Sequence, residues 1–190
     1  MSSHFTRSKI AMDYIAAVSL ICLLFWLYPI IAVLIKLTSK GPVLFRQLRV
    51  GKNKQVFECI KFRTMAPDTP NVSTHEIKGD YVTGFGRLLR RSKIDELPQL
   101  INILRGEMSL IGPRPCLVTQ SEIIAEREKR NVFDVKPGIA GLAQVYGVDM
   151  STPKKLSKYD AIYIKNASLS LDLRIAISML GGKGFGDRLR

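Results

Sequence analysis

From Ile15 to Ile35 the chain reads IAAVSLICLLFWLYPIIAVLI, 21 residues without a charge. A bilayer-spanning helix needs roughly 20 such residues, so the length suffices. A cleaved signal peptide fits poorly, because its apolar region is usually about 7–15 residues and ends in a small-residue cleavage site. Arg7 and Lys9 precede the run, and Lys36, Lys40, Arg46, Arg49, Lys52 and Lys54 follow it. Cationic flanks favour the cytoplasmic side, so both ends are pulled there, the C-terminal end more strongly. Pro29 lies a little past the middle, where it removes a backbone donor and bends the helix. Two arrangements satisfy this pattern: an ordinary kinked span, or a helix that enters and leaves on one face.

Beyond the apolar run the periodicity changes. Val43 to Val50 and Gln55 to Phe62 are short apolar-rich runs around Gly51-Lys52-Asn53-Lys54, which predicts a β-hairpin. Residues 66–80 are polar and turn-rich and predict a loop. A short basic helix follows around Phe85 to Arg91. Leu97, Leu100, Ile101 and Leu104 fall at i, i+3, i+4 and i+7, which predicts a helix over Glu96 to Arg105 stopped by Gly106. Pro98 is tolerated only in a first turn, so that helix should begin near Asp95. A polar helix is expected over Leu117 to Arg130, then a Gly-rich stretch from Gly138 to Val145. Thr152-Pro153 opens a helix to about Lys165, and Ser168 another to about Leu180. Leu169, Leu173, Ala176 and Leu180 give this last helix an apolar face for the core or a membrane interface.

A chain of 190 residues is long enough for a real core. Its 29 Lys+Arg against 16 Asp+Glu give a net charge of +13, which calls for an anionic partner such as nucleic acid, lipid headgroups or phosphorylated substrates. The apolar run weighs against nucleic acid. Cys22, Cys59 and Cys116 lie far apart, and only His4 and His75 accompany them. A Cys/His zinc site is therefore disfavoured, and so is a disulfide framework.

The candidate chemistry centres on Asp95-Glu96-Leu97-Pro98. At a helix start Asp95 should stay ionised, because exposed backbone N–H groups and the helix dipole favour negative charge. An ionised carboxylate is an established nucleophile in covalent catalysis. Glu96 suits Mg²⁺, which takes one or two carboxylates with substrate phosphate oxygens and water. Taken alone, the pair reads equally as ordinary first-turn capping. Arg114, clamped in Gly112-Pro113-Arg114-Pro115, presents a planar guanidinium that matches phosphate bidentately, or is simply a turn arginine. Lys61, Arg63, Arg90 and Arg91 are either further phosphate contacts or a solvated basic face. The Gly-rich stretch matches neither a Walker loop nor a dinucleotide fingerprint. Asp160 shares a helical stripe with Leu156, Tyr159 and Tyr163. Facing inward, it requires a partner, either structural or in the site.

Together these segments resemble the small bacterial monotopic phosphoglycosyl transferases, also called bacterial sugar transferases. The resemblance rests on the apolar helix with Pro29, on Ser39-Lys40-Gly41-Pro42-Val43, Arg49-Val50-Gly51 and Lys61-Phe62-Arg63-Thr64-Met65. It continues through Asp95 to Leu100, Gly106 to Pro115, Pro137-Gly138-Ile139, Gly141 to Val145 and Tyr163 to Asn166. It covers nearly the whole chain, in one order.

The resemblance implies an α+β, mainly helical fold. Residues 1–40 would form a re-entrant membrane helix broken at Pro29. Residues 41–190 would form a catalytic domain with a β-hairpin and interfacial helices, on the cytoplasmic face of the bacterial inner membrane. It implies transfer of a sugar phosphate from a UDP-sugar to polyprenyl phosphate with release of UMP, at a membrane phospholipid surface and without nucleic acid. Asp95 would form a covalent phosphosugar intermediate, and Glu96, with Asp95, would hold Mg²⁺. Arg114 would bind phosphate, with Lys61, Arg63, Arg90, Gln144 and Asp160 as further substrate-binding candidates. Direct transfer with both carboxylates on the metal is the mechanistic alternative, and a non-catalytic anion-binding module the alternative of another class. Two departures stand out. Tyr28-Pro29 replaces the family's Ser-Pro, and Tyr146-Gly147-Val148 replaces the Asn-Gly-Arg common among relatives.

Overall fold

The computed structural model describes residues 3–67, 69 and 81–181. Most of the loop expected over 66–80 lies outside these residues. The fold is mixed α+β and mainly helical, with little sheet.

The apolar run forms two helices, α1 (Ser3–Leu24) and α2 (Leu27–Thr38), bent by 65°. The bend falls at Phe25-Trp26, one turn before the expected break at Pro29. Proline explains this offset. It has no N–H for the carbonyl four residues back, here Phe25, and its ring crowds that carbonyl. The Phe25 carbonyl accepts instead from Tyr28 N at 3.2 Å, and the Trp26 indole N–H donates to the Leu23 carbonyl at 3.0 Å. Pro29 itself sits comfortably in the first turn of α2. Among the described residues no single helix is long and apolar enough to cross a membrane; only the bent pair passes together. Ile15, Leu23, Phe25 and Leu37 on this pair are at least 67 % exposed.

The hairpin forms as predicted. Strands β1 (Leu44–Val50) and β2 (Val56–Phe62) pair antiparallel from Leu44↔Phe62 to Val50↔Val56. Asn53 takes a left-handed φ of 53° in the turn, a conformation asparagine tolerates. After α3 (Gly84–Ser92) the prediction slips. Ile94–Glu96 is a 3₁₀ turn, and the helix α4 runs only from Gln99 to Leu104. Pro98 cannot donate to the Ile94 carbonyl, which takes Leu97 N at 3.1 Å instead, so the segment before it closes with tighter i→i+3 bonds.

Strand β3 (Ser109–Ile111) pairs in parallel with β5 (Gly138–Ala140), while β4 (Cys116–Leu117) pairs with the free edge of β1. Helix α5 therefore starts at Ser121 and ends at Glu128, not at Leu117 to Arg130. Pairing with β1 and burial of both Cys116 and Leu117 hold these residues extended. The Gly-rich stretch supplies β5 and the short α6 (Leu142–Val145). Helices α7 (Pro153–Lys165) and α8 (Leu169–Leu180) match their predicted bounds.

Helix α1 is docked on the rest of the chain by apolar and polar contacts. Ala17 is fully buried in a cluster with Phe57, Leu100, Ile103 and Met108. Buried Asp13 accepts from Ser109 Oγ at 2.7 Å and Leu110 N at 3.1 Å, and Lys9 pairs with Asp172 at 2.6 Å. Asp172 also accepts from the Tyr163 hydroxyl at 2.8 Å. The first turns of α1 are thus anchored to β3 and α8. Helix α2 packs Ile31 and Ile35 on Phe62 and Leu89. Helix α8 buries Ile175 against Tyr163, a residue off the predicted apolar face, while Leu169 and Leu173 of that face are exposed, as is Ile177.

Candidate active site

Three elements meet at the Asp95-Glu96 turn. Lys93 ends α3 in the left-handed conformation (φ 58°, ψ 13°), a region that side chains other than glycine seldom occupy. The reversal puts Ile94 into the apolar cluster under α2 and leaves Asp95 and Glu96 on the wall of a cleft of about 1140 Å³. Lys61, next to last in strand β2, places its Nζ 2.9 Å from Glu96 Oε1. The loop between β3 and β4 supplies Arg114, whose guanidinium reaches the same oxygen at 2.9 Å.

The Arg114 loop is held from behind. Gly112 lies against the Lys136–Gly138 backbone so closely that a Cβ on Gly138 would overlap Gly112. On the other side Arg49 donates to the Pro115 carbonyl at 3.0 Å. Arg90, on the last turn of α3, donates from Nε to Thr64 Oγ1 at 2.8 Å and lies in the field of Asp95.

This setting drives the two carboxyls apart. Burial, then the neighbouring Glu96 charge, pushes Asp95 up to about 6, against the pull of Lys61, Arg90 and Arg114. Burial acts to raise Glu96 too, but Arg114 and Lys61 outweigh it and hold that carboxyl well below the usual carboxylate range. The expected stabilisation of ionised Asp95 by a helix N-terminus is therefore not found. Asp95 stands in a 3₁₀ turn before α4 and is only 8 % exposed. At neutral pH it is ionised but more basic than an ordinary aspartate.

The remaining candidates separate. Gln144, on α6, lines the same cleft, and its buried Oε1 has no partner among the described residues. Asp160 is 2 % exposed, accepts from Arg127 Nε at 3.0 Å between α5 and α7, and lines a small cavity shared with Arg114 and Gln144. Arg63 borders the cleft, but its Nη2 donates to the Ser39 carbonyl and hydroxyl, both at 2.8 Å, so it fastens the end of α2. Two neighbours of the site lie in the quoted motifs but carry no site role in the sequence analysis. Arg49 and Thr64 brace Arg114 and Arg90, and only the strand pairing and the tertiary contact reveal them. The cleft is otherwise lined largely by apolar side chains, among them Leu97, Leu100, Leu110, Ile139, Leu173 and Met179.

Among the described residues no three His, Cys, Asp or Glu side chains cluster as a metal cage. Asp95 and Glu96 are two adjacent carboxylates on an open cleft wall. That donor set fits a hard divalent cation completed by phosphate oxygens and water.

Comparison with known proteins places the chain in a family. Residues 4–181 match the family model described as bacterial sugar transferase. The chain is 40% identical over 178 residues to the UDP-glucose:undecaprenyl-phosphate glucose-1-phosphate transferase of Caulobacter vibrioides, covering 89% of this chain and 67% of that protein. It is 41% identical to the UDP-N-acetylgalactosamine-undecaprenyl-phosphate N-acetylgalactosaminephosphotransferase of Aeromonas hydrophila, over 95% of this chain and 45% of that protein. It is 36% identical to an exopolysaccharide production protein of Rhizobium leguminosarum, over 93% of this chain and 98% of that protein. The chain thus spans less than half of the Aeromonas relative but nearly all of the Rhizobium one. With the Asp-Glu turn, the Pro-clamped arginine and the bent apolar helices all lying inside the matched residues, the chain belongs to the bacterial sugar transferase family.

Proposed function

We propose that this protein transfers a sugar 1-phosphate from a UDP-sugar to polyprenyl phosphate at a membrane surface, releasing UMP. The observation that carries the reading is the split pair: a basic, ionised Asp95 beside a strongly acidic Glu96 on a cation-lined cleft. Two adjacent carboxyls with opposed environments suit two different roles.

An Asp95 carboxylate oxygen attacks the β-phosphorus of the UDP-sugar. The bond from that phosphorus to the bridging oxygen breaks, and UMP leaves with the electron pair. The product is a phosphosugar joined to Asp95 as an acyl phosphate. A phosphate oxygen of the polyprenyl phosphate then attacks the same phosphorus, the acyl–oxygen link to phosphorus breaks, and the Asp95 carboxylate is regenerated. Lys61, Arg90 and Arg114 supply positive charge where the phosphoryl oxygens gain negative charge. Glu96 orients Lys61 and Arg114, and with Asp95 would hold Mg²⁺. When bound, that ion adds charge neutralisation at the diphosphate. The unpartnered Gln144 Oε1 suits an N–H or O–H of the donor.

The bent pair α1–α2 is read as re-entrant, entering and leaving the cytoplasmic face of the inner membrane. A 65° bend, exposed apolar residues and cationic flanks support this placement. The acceptor phosphate is then held at the headgroup plane beside Asp95.

The test is a UMP burst. With UDP-glucose or UDP-N-acetylgalactosamine, magnesium and no acceptor lipid, the protein should release about one UMP per active chain, and Asp95→Asn should release none. Absence of a burst, combined with a ternary-complex rate law, would establish direct transfer. Full turnover by a variant lacking both carboxylates would exclude the site altogether.

A further inference from the structure

We propose that Tyr28 is a positioning residue that ties the break between α1 and α2 to the turn carrying Asp95 and Glu96. Its hydroxyl donates to the Leu97 carbonyl at 3.0 Å, a contact between residues 69 apart in the chain. That carbonyl also accepts from Leu100 N at 3.1 Å, so it sits at the joint where the 3₁₀ turn passes into α4. The Tyr28 ring packs on Phe62 with centroids 5.4 Å apart and planes tilted by 57°. Phe62 follows Lys61, the partner of Glu96. One side chain at the helix break therefore touches both the turn that carries Glu96 and the strand that supplies its cation.

The body to which this tether is attached is firm. Helix α2 buries Ile31 and Ile35 in the core, and its far end is fastened where Arg63 donates to Ser39. The near end carries the Phe25-Trp26 break, where the Pro29 ring prevents normal helix bonding. The Tyr28 hydroxyl joins that near end to the catalytic turn. A shift in how the bent pair sits is thereby carried to Asp95. A small displacement of a reacting group is enough to slow a group transfer markedly.

The role assigned to Tyr28 rests on the reading of Asp95 as the reacting group. It also makes a claim that needs no substrate: removing the hydroxyl should loosen residues 94–100 selectively. Two variants separate the tether from local support of the break. Tyr28→Phe keeps the ring on Phe62 and removes only the hydroxyl. Tyr28→Ser supplies a hydroxyl that reaches neighbouring helix carbonyls but is too short to reach Leu97.

The full chain, in phospholipid nanodiscs, is assayed for UMP release with UDP-glucose, UDP-N-acetylgalactosamine and undecaprenyl phosphate. Deuterium uptake is measured alongside. Tyr28→Phe should lower kcat about 3- to 10-fold, with KM for the donor within about two-fold. Uptake over residues 94–100 should rise while α5 and α7 are unchanged. Tyr28→Ser should lose at least as much. Wild-type kcat and uptake in Tyr28→Phe overturn the tether, and so does wild-type kcat in Tyr28→Ser. A wild-type protein inert towards these donors, with faster uptake over 94–100 in Tyr28→Phe, excludes transfer from these two donors and supports the tether.

Discussion

Replacing Asp95 by Asn should stabilise the protein at neutral pH while ending its chemistry. On folding, the Asp95 carboxyl rises from 3.8 to about 6, chiefly through burial. At 1.36 kcal/mol for each tenfold change in proton affinity, the ionised form costs about 3 kcal/mol of stability at pH 7.5. The folded chain holds this proton more tightly than the unfolded chain. The cost is therefore absent below about pH 4, grows between about pH 4 and 6, and is constant above about pH 7. Glu96 has the opposite sign: its carboxyl is depressed, so its contribution is present above about pH 4.5 and is lost only as the medium becomes strongly acid. Asparagine imitates protonated Asp95. Its gain should be about 3 kcal/mol at pH 7.5 and about 1 kcal/mol at pH 4.5. For a chain of this size, 3 kcal/mol corresponds to a rise in Tm of about 6–12 °C. Thermal melts of both proteins in the same detergent, at the two pH values, measure the effect. An Asp95→Asn variant that melts no higher than wild type at pH 7.5, or whose gain is the same at both pH values, refutes the electrostatic account of Asp95.

Two further outcomes follow from the same site and its support. The kcat/KM for UMP release should fall about tenfold per pH unit below about pH 6, as Asp95 takes up its proton, and the fall should move to lower pH as magnesium is raised; a profile flat down to pH 5 at every magnesium concentration would refute the electrostatic account of Asp95. Asp160→Asn leaves the buried Arg127 without its counter-charge and should cost about 3–5 kcal/mol of stability. The protein that remains folded should retain its KM for the donor, whereas a large rise in KM at unchanged Tm would return Asp160 to the substrate site.

Local chemistry made much of this legible in the chain. Two short apolar-rich runs around the Gly-Lys-Asn-Lys turn placed the hairpin, and Thr152-Pro153 and Ser168 placed the last two helices. The slips came where tertiary contacts decide. Leu117 reads as a helix start, but the edge of β1 claims its backbone and that of Cys116. At Pro29 the residue was right and the break was one turn early, because a proline acts on the carbonyl behind it. The Asp95-Glu96 pair was visible as a pair. Its electrostatic character was not, because that depends on Lys61 and Arg114 arriving from elements 35 and 18 residues away. Asp160 lies on the inward stripe as the spacing implies, and its partner Arg127 comes from another helix that the spacing could not identify.

The anchoring of Asp13 has a mechanical consequence. Only residues 14–24 of α1 extend beyond that fastening, a rise of about 16 Å at 1.5 Å per residue. That is about half of a 30 Å hydrocarbon layer. Inserted as proposed, the bent pair would occupy lateral area in one leaflet and none in the other. Each copy would then act as a stiff wedge that expands the cytoplasmic leaflet alone, so its insertion would be eased by packing defects and opposed by lateral pressure in that leaflet.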